Sequence, residues 1–314
     1  MQRVAKIYIL LLMLLSVIDT KAQTDVQMSQ HSLNRLIYNP AATGASEYIN
    51  IMANIRDQWI GWTGAPRAQT LSFHNFVEHI NSGLGVTIIR NSVGLENNMN
   101  AKLQYAYHVK LTEESYFSLG LGAGILYRYF DRNSAYYEDM VDNEEWLLNL
   151  DKQTNVDFDF GIEFNMYGLT AGFSIDHLTN PGSGDDKLYV GRHYYGFLKT
   201  LITIDDKWKV EPSFFVQSRQ SLTYFEMMTT VRLRENVWFG LAYRTDSNFE
   251  GEAFVPLVGV NFTKGLRIGY SYDFNMGALS KYADATHEIF IGIRLQKNGL
   301  QNKRGYYRSP RFFE

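Results

Sequence analysis

Cysteine is missing from this chain altogether. That excludes disulfides, thiolate-bound metal and a lipid anchor carried on cysteine. Long apolar runs are missing as well: beyond Ala22 nothing approaches the roughly 20 residues of a transmembrane helix. Any membrane the mature chain crosses must then be crossed by a closed barrel of strands, the other structure that satisfies its own backbone in hydrocarbon. No sign of charge dominates, since 30 Lys and Arg against 33 Asp and Glu leave a net −3. There is no electrostatic case for nucleic acid. Metal-ligand spacing is also lacking. His31, His74, His79, His108, His177, His193 and His287 are scattered, with no HExxH or similar pattern, so neither a metal nor another cofactor is expected.

What is present begins with an address. Arg3 and Lys6, the apolar core from Ile7 to Ile18, and Thr20-Lys21-Ala22 before Gln23 have the form of a secretory signal cleaved after Ala22. The chain is 45% hydrophobic and 15% aromatic, yet its mean hydropathy is −0.24. Alternating strands produce that combination, because polar residues cancel apolar ones in any running average.

The alternation is plainest between Asn98 and Phe130. Met99, Ala101, Leu103, Tyr105, Tyr107 and Val109 interleave with Asn98, Asn100, Lys102, Gln104, Ala106 and His108. After the break Lys110–Ser115 the pattern resumes, with Phe117, Leu119, Leu121, Ala123, Ile125, Tyr127 and Tyr129 against Ser118, Gly120, Gly122, Gly124, Leu126, Arg128 and Phe130. A period of two is extended strand, and a short polar break makes a hairpin. These dyads persist past the roughly 9–11 residues that a tilted strand needs to cross a bilayer. One face is apolar and the other small or polar, as for lipid outside and a polar lumen inside.

The same pattern places strands near 49–56, 70–73, 83–90, 98–109, 116–130, 154–166, 168–176, 193–203, 207–217, 221–234, 236–245, 253–263, 265–274 and 285–296. The expected fold is all-β, a transmembrane antiparallel β-barrel of about fourteen strands. Its even-numbered connections are brief, while odd-numbered ones include Asp131–Gln153, His177–Arg192 and Asn275–Asp284. Alternation of short periplasmic turns with long external loops is the habit of bacterial barrels.

Several groups invite chemical readings. Asp176-His177 would sit at an external rim, but no nucleophile or second carboxylate is identifiable beside it, and an enzyme is not expected. Gly120, Gly122 and Gly124 are followed by no helix and no Lys-Ser/Thr, so space for a plug or a tight wall is preferred to a phosphate loop. The lumenal set Lys102, Gln104, His108, Arg128, Asp157, Asp159 and Glu163 carries both signs, suiting either a pore lining or mutually paired charges filling a closed barrel. The loop Asp131–Gln153 mixes acids with Tyr136, Tyr137 and Trp146, a composition suited to protein recognition. The tail from Lys297 carries Arg304, Arg308 and Arg311 beside Phe312 and Phe313. Such a segment can place aromatics in a pocket and arginines on carboxylates of a partner.

Residues Asn39-Pro40-Ala41 with Gly44, then Gln58-Trp59-Ile60-Gly61, then Gly64-Ala65-Pro66 and Gln69–Phe73, resemble the PorP/SprF family of outer-membrane proteins of the Bacteroidetes type IX secretion and gliding system. The likeness in words covers 28–95, including Asn81–Gly85, and the remainder matches in pattern. Arg308–Phe313 resembles a short tail of many members, which often carry Cys where this chain has Ser309. The resemblance implies signature positions at Asn39, Pro40, Gly44, Gln58, Trp59, Gly61, Gly64 and Pro66. It also implies a component that delivers or anchors, at the cell surface, a cargo protein or adhesin bearing a C-terminal sorting domain. Its partners would be outer-membrane lipid, the cargo, and periplasmic secretion components. The expected organisation is signal peptide 1–22, periplasmic segment 23–48, barrel 49–296 and basic periplasmic tail 297–314. The rival from another class is a diffusion channel or nutrient transporter.

Overall fold

Side chains that alternate between lipid and lumen force extended backbone, and the strands they form close on themselves. The computed structural model describes residues 26–46, 48–131, 152–181, 190–219, 222–234, 236–262, 265–276 and 285–296. The expected signal peptide, the body of the acidic loop and the basic tail with Arg304, Arg308, Arg311, Phe312 and Phe313 lie outside them.

Fourteen strands make one closed antiparallel barrel. They are β1 Ile49–Asp57, β2 Arg67–Val77, β3 Ser82–Val93, β4 Glu96–Thr112, β5 Ser115–Phe130, β6 Gln153–Met166 and β7 Leu169–Asp176. β8 is His193–Thr200 with the short continuation Ile202–Thr203, both pieces pairing with β9, Trp208–Arg219. Then follow β10 Leu222–Leu233, β11 Val237–Asp246, β12 Gly251–Asn261, β13 Leu266–Asn275 and β14 Thr286–Leu295. Each strand pairs with the next, and β14 returns to β1 in the register Ile51↔Ile293.

The two faces are inverted relative to a soluble protein. Outward positions are large and apolar: Leu103 is 69% exposed, Leu121 59% and Met227 64%. Lys102 on β4, Arg128 on β5 and Asp157, Asp159 and Glu163 on β6 are buried. So continuous an apolar belt is the signature of a surface that meets lipid. It leads to a direct prediction. Phe160→Arg on the outer face of β6 should cost about 2–4 kcal/mol if it lies at mid-bilayer, seen as a smaller heat-modifiable fraction on unboiled gels. Unchanged assembly would remove that face from lipid. Position 159, which the dyad pattern alone makes a mild control for arginine, is not one, because the Asp159 carboxylate lies 2.6 Å from Lys102 Nζ.

The two ends differ. All six even-numbered connections are tight, from the 3₁₀ turn Glu78–Ile80 to the hairpin turn at Tyr167 and Gly168, whose φ values of 49° and 84° suit a two-residue turn of the primed type. The odd-numbered connections are uneven. Those at 58–66, 131–152, 177–192 and 276–285 are long, whereas 94–95, 220–221 and 247–250 are as tight as the even ones. The expected parity therefore holds for one end only: every long connection is at one end, but that end also carries three close hairpins.

The largest departure from expectation is residues 26–46. The sequence places them in a periplasmic segment ahead of the barrel, yet they run inside it. They form three 3₁₀ turns, His31–Leu33, Arg35–Ile37 and Pro40–Ala42, and most of their side chains are buried. From β1 the chain passes Thr43 and Gly44, beside β2 and β3 at the short-turn end, and reaches Ser29, beside Arg56, Asp273 and Glu288 toward the other end. It plugs the lumen lengthwise.

Candidate functional site

The seat of the plug is built from small residues on both partners. Asn39 caps the turn Pro40–Ala42 by accepting the Ala41 amide proton on Oδ1 at 2.9 Å, and Pro40 opens the turn where its missing N–H costs nothing. Thr43 Oγ1 donates to the Pro40 carbonyl at 2.7 Å. Gly44, at φ +75°, donates its amide to His74 Nδ1 at 3.0 Å. The wall beneath is a row in register across five strands: Gly83, Ala106, Gly120, Gly161 and Ser174. A Cβ added at Gly83 would stand 1.9 Å from the Thr43 carbonyl oxygen, one at Gly120 2.1 Å from the Ala41 nitrogen, and one at Gly161 2.0 Å from Asn39 Oδ1. At Gly83 and Gly120 backbone thus lies directly on backbone, and at Gly161 the Asn39 side chain takes the vacant space, contacts that only a missing side chain permits. Ser174 Oγ donates to the Tyr38 carbonyl at 2.5 Å, Asn39 Nδ2 to the Ile162 carbonyl at 3.0 Å, and His108 Nε2 to the Thr43 carbonyl at 2.8 Å.

Of the three alternating glycines only Gly120 touches the plug. Gly122 leaves room for the Asp159 side chain and Gly124 for Lys102.

Around this seat most inward charges are paired. Toward the end with the long connections, Arg56 donates to Asp273 at 2.7 Å and to Glu288 at 3.3 Å, while Arg244 reaches Asp273 at 3.0 Å and Glu226 at 2.5 Å. The plug enters the same cluster. The Ser29 and Gln30 amides donate to Glu288 at 2.7 and 3.1 Å, Ser29 Oγ to Asp273 at 2.8 Å, and His31 Nε2 meets Glu226 at 2.8 Å. Arg35 reaches from the plug to Glu163 at 3.0 Å, and that carboxylate also accepts from Tyr116. Lys199 and Arg232 share Glu211. Lys102 is ringed by Asp159 at 2.6 Å and Asp176 at 3.1 Å. Arg128 pairs with Glu96. Of the two arrangements left open by the lumenal set, paired charges filling the interior is the one present. An apolar patch completes the packing: Val26, Met28, Ile37 and Tyr38 of the plug lie with Tyr195 and Phe215 of the wall, and His31 stacks on Phe215 at 4.3 Å.

His177 beside Asp176 is a wall residue: its Nδ1 is 2.5 Å from Asp157 and its ring packs edge-on to His193 at 5.5 Å. Among the described residues no cluster of His, Asp or Glu is placed to hold a metal ion.

The eight expected signature positions divide between the two ends. Asn39, Pro40 and Gly44 form the plug turn. Gln58, Trp59, Gly61, Gly64 and Pro66 form the β1–β2 connection at the end with the long connections. There the Gln58 amide donates to the Pro66 carbonyl at 2.9 Å, and φ is positive at Trp59, Gly61 and Gly64. This loop is tied to its neighbours by Ile60 N–H to the Ala285 carbonyl and Gly94 N–H to the Gly64 carbonyl, and it leaves Trp62 exposed. Ser29, His31 and Arg35 hold the plug but stand out by no sequence motif. Their only signal is that polar groups precede a barrel whose inward face carries complementary charges.

A family model described as "Type IX secretion system membrane protein PorP/SprF" matches residues 20–293. Among solved structures, the chain is similar to the TodX deltaS2S3 mutant monoaromatic hydrocarbon channel, with a TM-score of 0.55 at 8% identity over 83% of this chain and 94% of that one. It is similar also to the Ralstonia pickettii toluene transporter TbuX, with a TM-score of 0.55 at 10% identity over 83% and 93%. At these identities the likeness is one of fold. No curated protein matches by sequence.

Proposed function

Since the chain belongs to the PorP/SprF family of type IX secretion system membrane proteins, we propose that it is a non-catalytic outer-membrane anchor, delivering or holding a cargo protein with a C-terminal sorting domain at the cell surface. The observation that carries this reading over a diffusion channel is the plug. Residues 26–46 fill the lumen, are fastened by charge-assisted hydrogen bonds at Ser29, His31 and Arg35, and lie tight against Gly83, Gly120 and Gly161 of the wall. A channel needs a continuous aqueous path; an anchor needs a rigid wall and well-presented ends.

On this reading the signal peptide is removed before Gln23. The long connections face outward and meet the cargo, in keeping with bacterial barrels. The loop with Trp59, its neighbour Trp62 and the segment 131–152 form the outward surface. The tail with Arg304, Arg308, Arg311, Phe312 and Phe313 contacts periplasmic secretion components. Removing 300–314 should leave a heat-modifiable barrel in the membrane and abolish cargo display, as measured by surface immunolabelling. Normal display by the truncated strain would reject the tail as the contact. Cargo display unaffected by loss of the whole barrel would reject the anchor.

A further inference from the structure

Six inward-facing cations among the described residues are matched with carboxylates. Arg56, Lys102, Arg128, Lys199, Arg232 and Arg244 each have one. Arg267, near the start of β13 at the short-turn end, differs from these. Only 5% of it is exposed, and among the described residues no carboxylate lies within ion-pair distance of it. Its Nε is buried with no hydrogen-bond partner. Its guanidinium lies over the Phe290 ring at 5.2 Å. It occupies space kept open by Gly292, where a Cβ would come within 3.1 Å of Nε and Nη2. An arginine does not shed its proton to escape burial, so a buried, unmatched guanidinium is strongly unfavourable without an anion.

The surroundings supply the rest of a receptor. Arg267 lines a cleft between plug and wall together with Arg294, His74 and Asn50. His74 Nδ1 accepts the Gly44 amide proton, so the neutral ring carries its hydrogen on Nε2, a donor for an anion. The plug contributes Leu33, Leu36 and Ala42, which line the cleft on its side. Arg35, on the same cleft, is already engaged with Glu163. A planar guanidinium fork beside a second arginine fits the paired oxygens of an oxyanion.

We propose that Arg267, with Arg294 and His74, forms a binding site for a small oxyanion, a phosphate or a carboxylate, wedged between plug and wall at the short-turn end. Occupancy ties the plug to the barrel from the end opposite the Arg56 cluster. The site stands independently of the anchoring role: it fails or holds on binding alone.

The test uses the full-length protein purified in detergent and exchanged into phosphate-free buffer. Inorganic phosphate and acetate are titrated separately at ionic strength matched with chloride, and calorimetric binding and the heat-modification temperature are read. Saturable binding with a rise in that temperature is expected. Saturation by phosphate assigns a phosphoryl ligand, and saturation by acetate alone a carboxylate. Arg267→Gln should weaken binding by at least about tenfold, a loss of roughly one factor of ten in the equilibrium constant. Arg267→Lys, which keeps the charge, should retain part of it. The absence of saturable binding by wild type to either anion would overturn the site. So would equal binding by Arg267→Gln.

Discussion

Valine at position 120 should unseat the plug. A Cβ there would stand 2.1 Å from the Ala41 nitrogen and 2.3 Å from the Pro40 carbonyl carbon. Both are backbone atoms with no rotamer to retreat into, and β5 is held on each side by its ladders with β4 and β6. Overpacking a filled interior costs about 1–3 kcal/mol, and valine at this contact belongs at the upper end, because neither partner has a flexible side chain to yield. Every ~1.4 kcal/mol lost from docking raises the undocked population about tenfold. The absence of cysteine makes the readout clean. Ser32, buried in the plug, can be replaced by cysteine with little change of shape. In that background a membrane-impermeant maleimide should react slowly until the barrel unfolds, and much faster once Gly120→Val is added. Gly196→Ala is the matched control, since a Cβ at Gly196 meets nothing within 4 Å. Equal labelling in all three would mean that the glycine row does not seat the plug.

Arg56→Met should be the most damaging single charge removal. Arg56 is 1% exposed and donates to Ser29 Oγ, Glu288 and Asp273. Methionine keeps much of the length but leaves Asp273, Glu288 and Glu226 with Arg244 as the remaining arginine of the cluster. Taking one partner from a buried ion pair costs about 3–5 kcal/mol, because the other charge is left uncompensated. The loss has two consequences here, since Ser29 links Arg56 to the plug as well as to the wall. The folded, fast-migrating gel species should therefore convert at a markedly lower temperature, and plug cysteine labelling should rise with it. Arg56→Lys keeps the charge without the fork and should lie between. A conversion temperature for Arg56→Met equal to that of wild type would show that the cluster is not what fastens the upper plug.

The barrel was legible because its physics repeats every two residues. Met99 to Val109 and Phe117 to Tyr129 expose their apolar members and bury the interleaved ones, as alternation requires. Strand ends were less legible, since pairing continues past the apolar pattern. β2 begins at Arg67 and β4 runs 17 residues, where ladder hydrogen bonds and not lipid hold the chain. The tight hairpin at Gly94 and Leu95 broke the expected rhythm of loop lengths, because one tight turn needs only a positive φ, here 58° at Gly94.

The plug was illegible for a different reason. Its turn chemistry was visible: Asn39-Pro40 begins a turn and Gly44 takes a positive φ. Its location was not, because three short 3₁₀ turns have no period, and its partners come from far along the chain, Glu163 for Arg35 and Glu288 for Ser29. The alternating glycines did leave room for a plug among their readings. What the sequence does not display is that Gly83, Gly120 and Gly161 share one row, which exists only once the registers of β3 to β6 are set.

The central claim is that residues 26–46 turn a channel-shaped barrel into a closed scaffold, and planar-bilayer conductance tests it most directly. Purified wild-type protein should insert without stable ohmic steps, while a variant lacking 26–46, still heat-modifiable on gels, should give steps of constant size. Steady conductance from the wild type equal to that of the deletion variant would contradict the account.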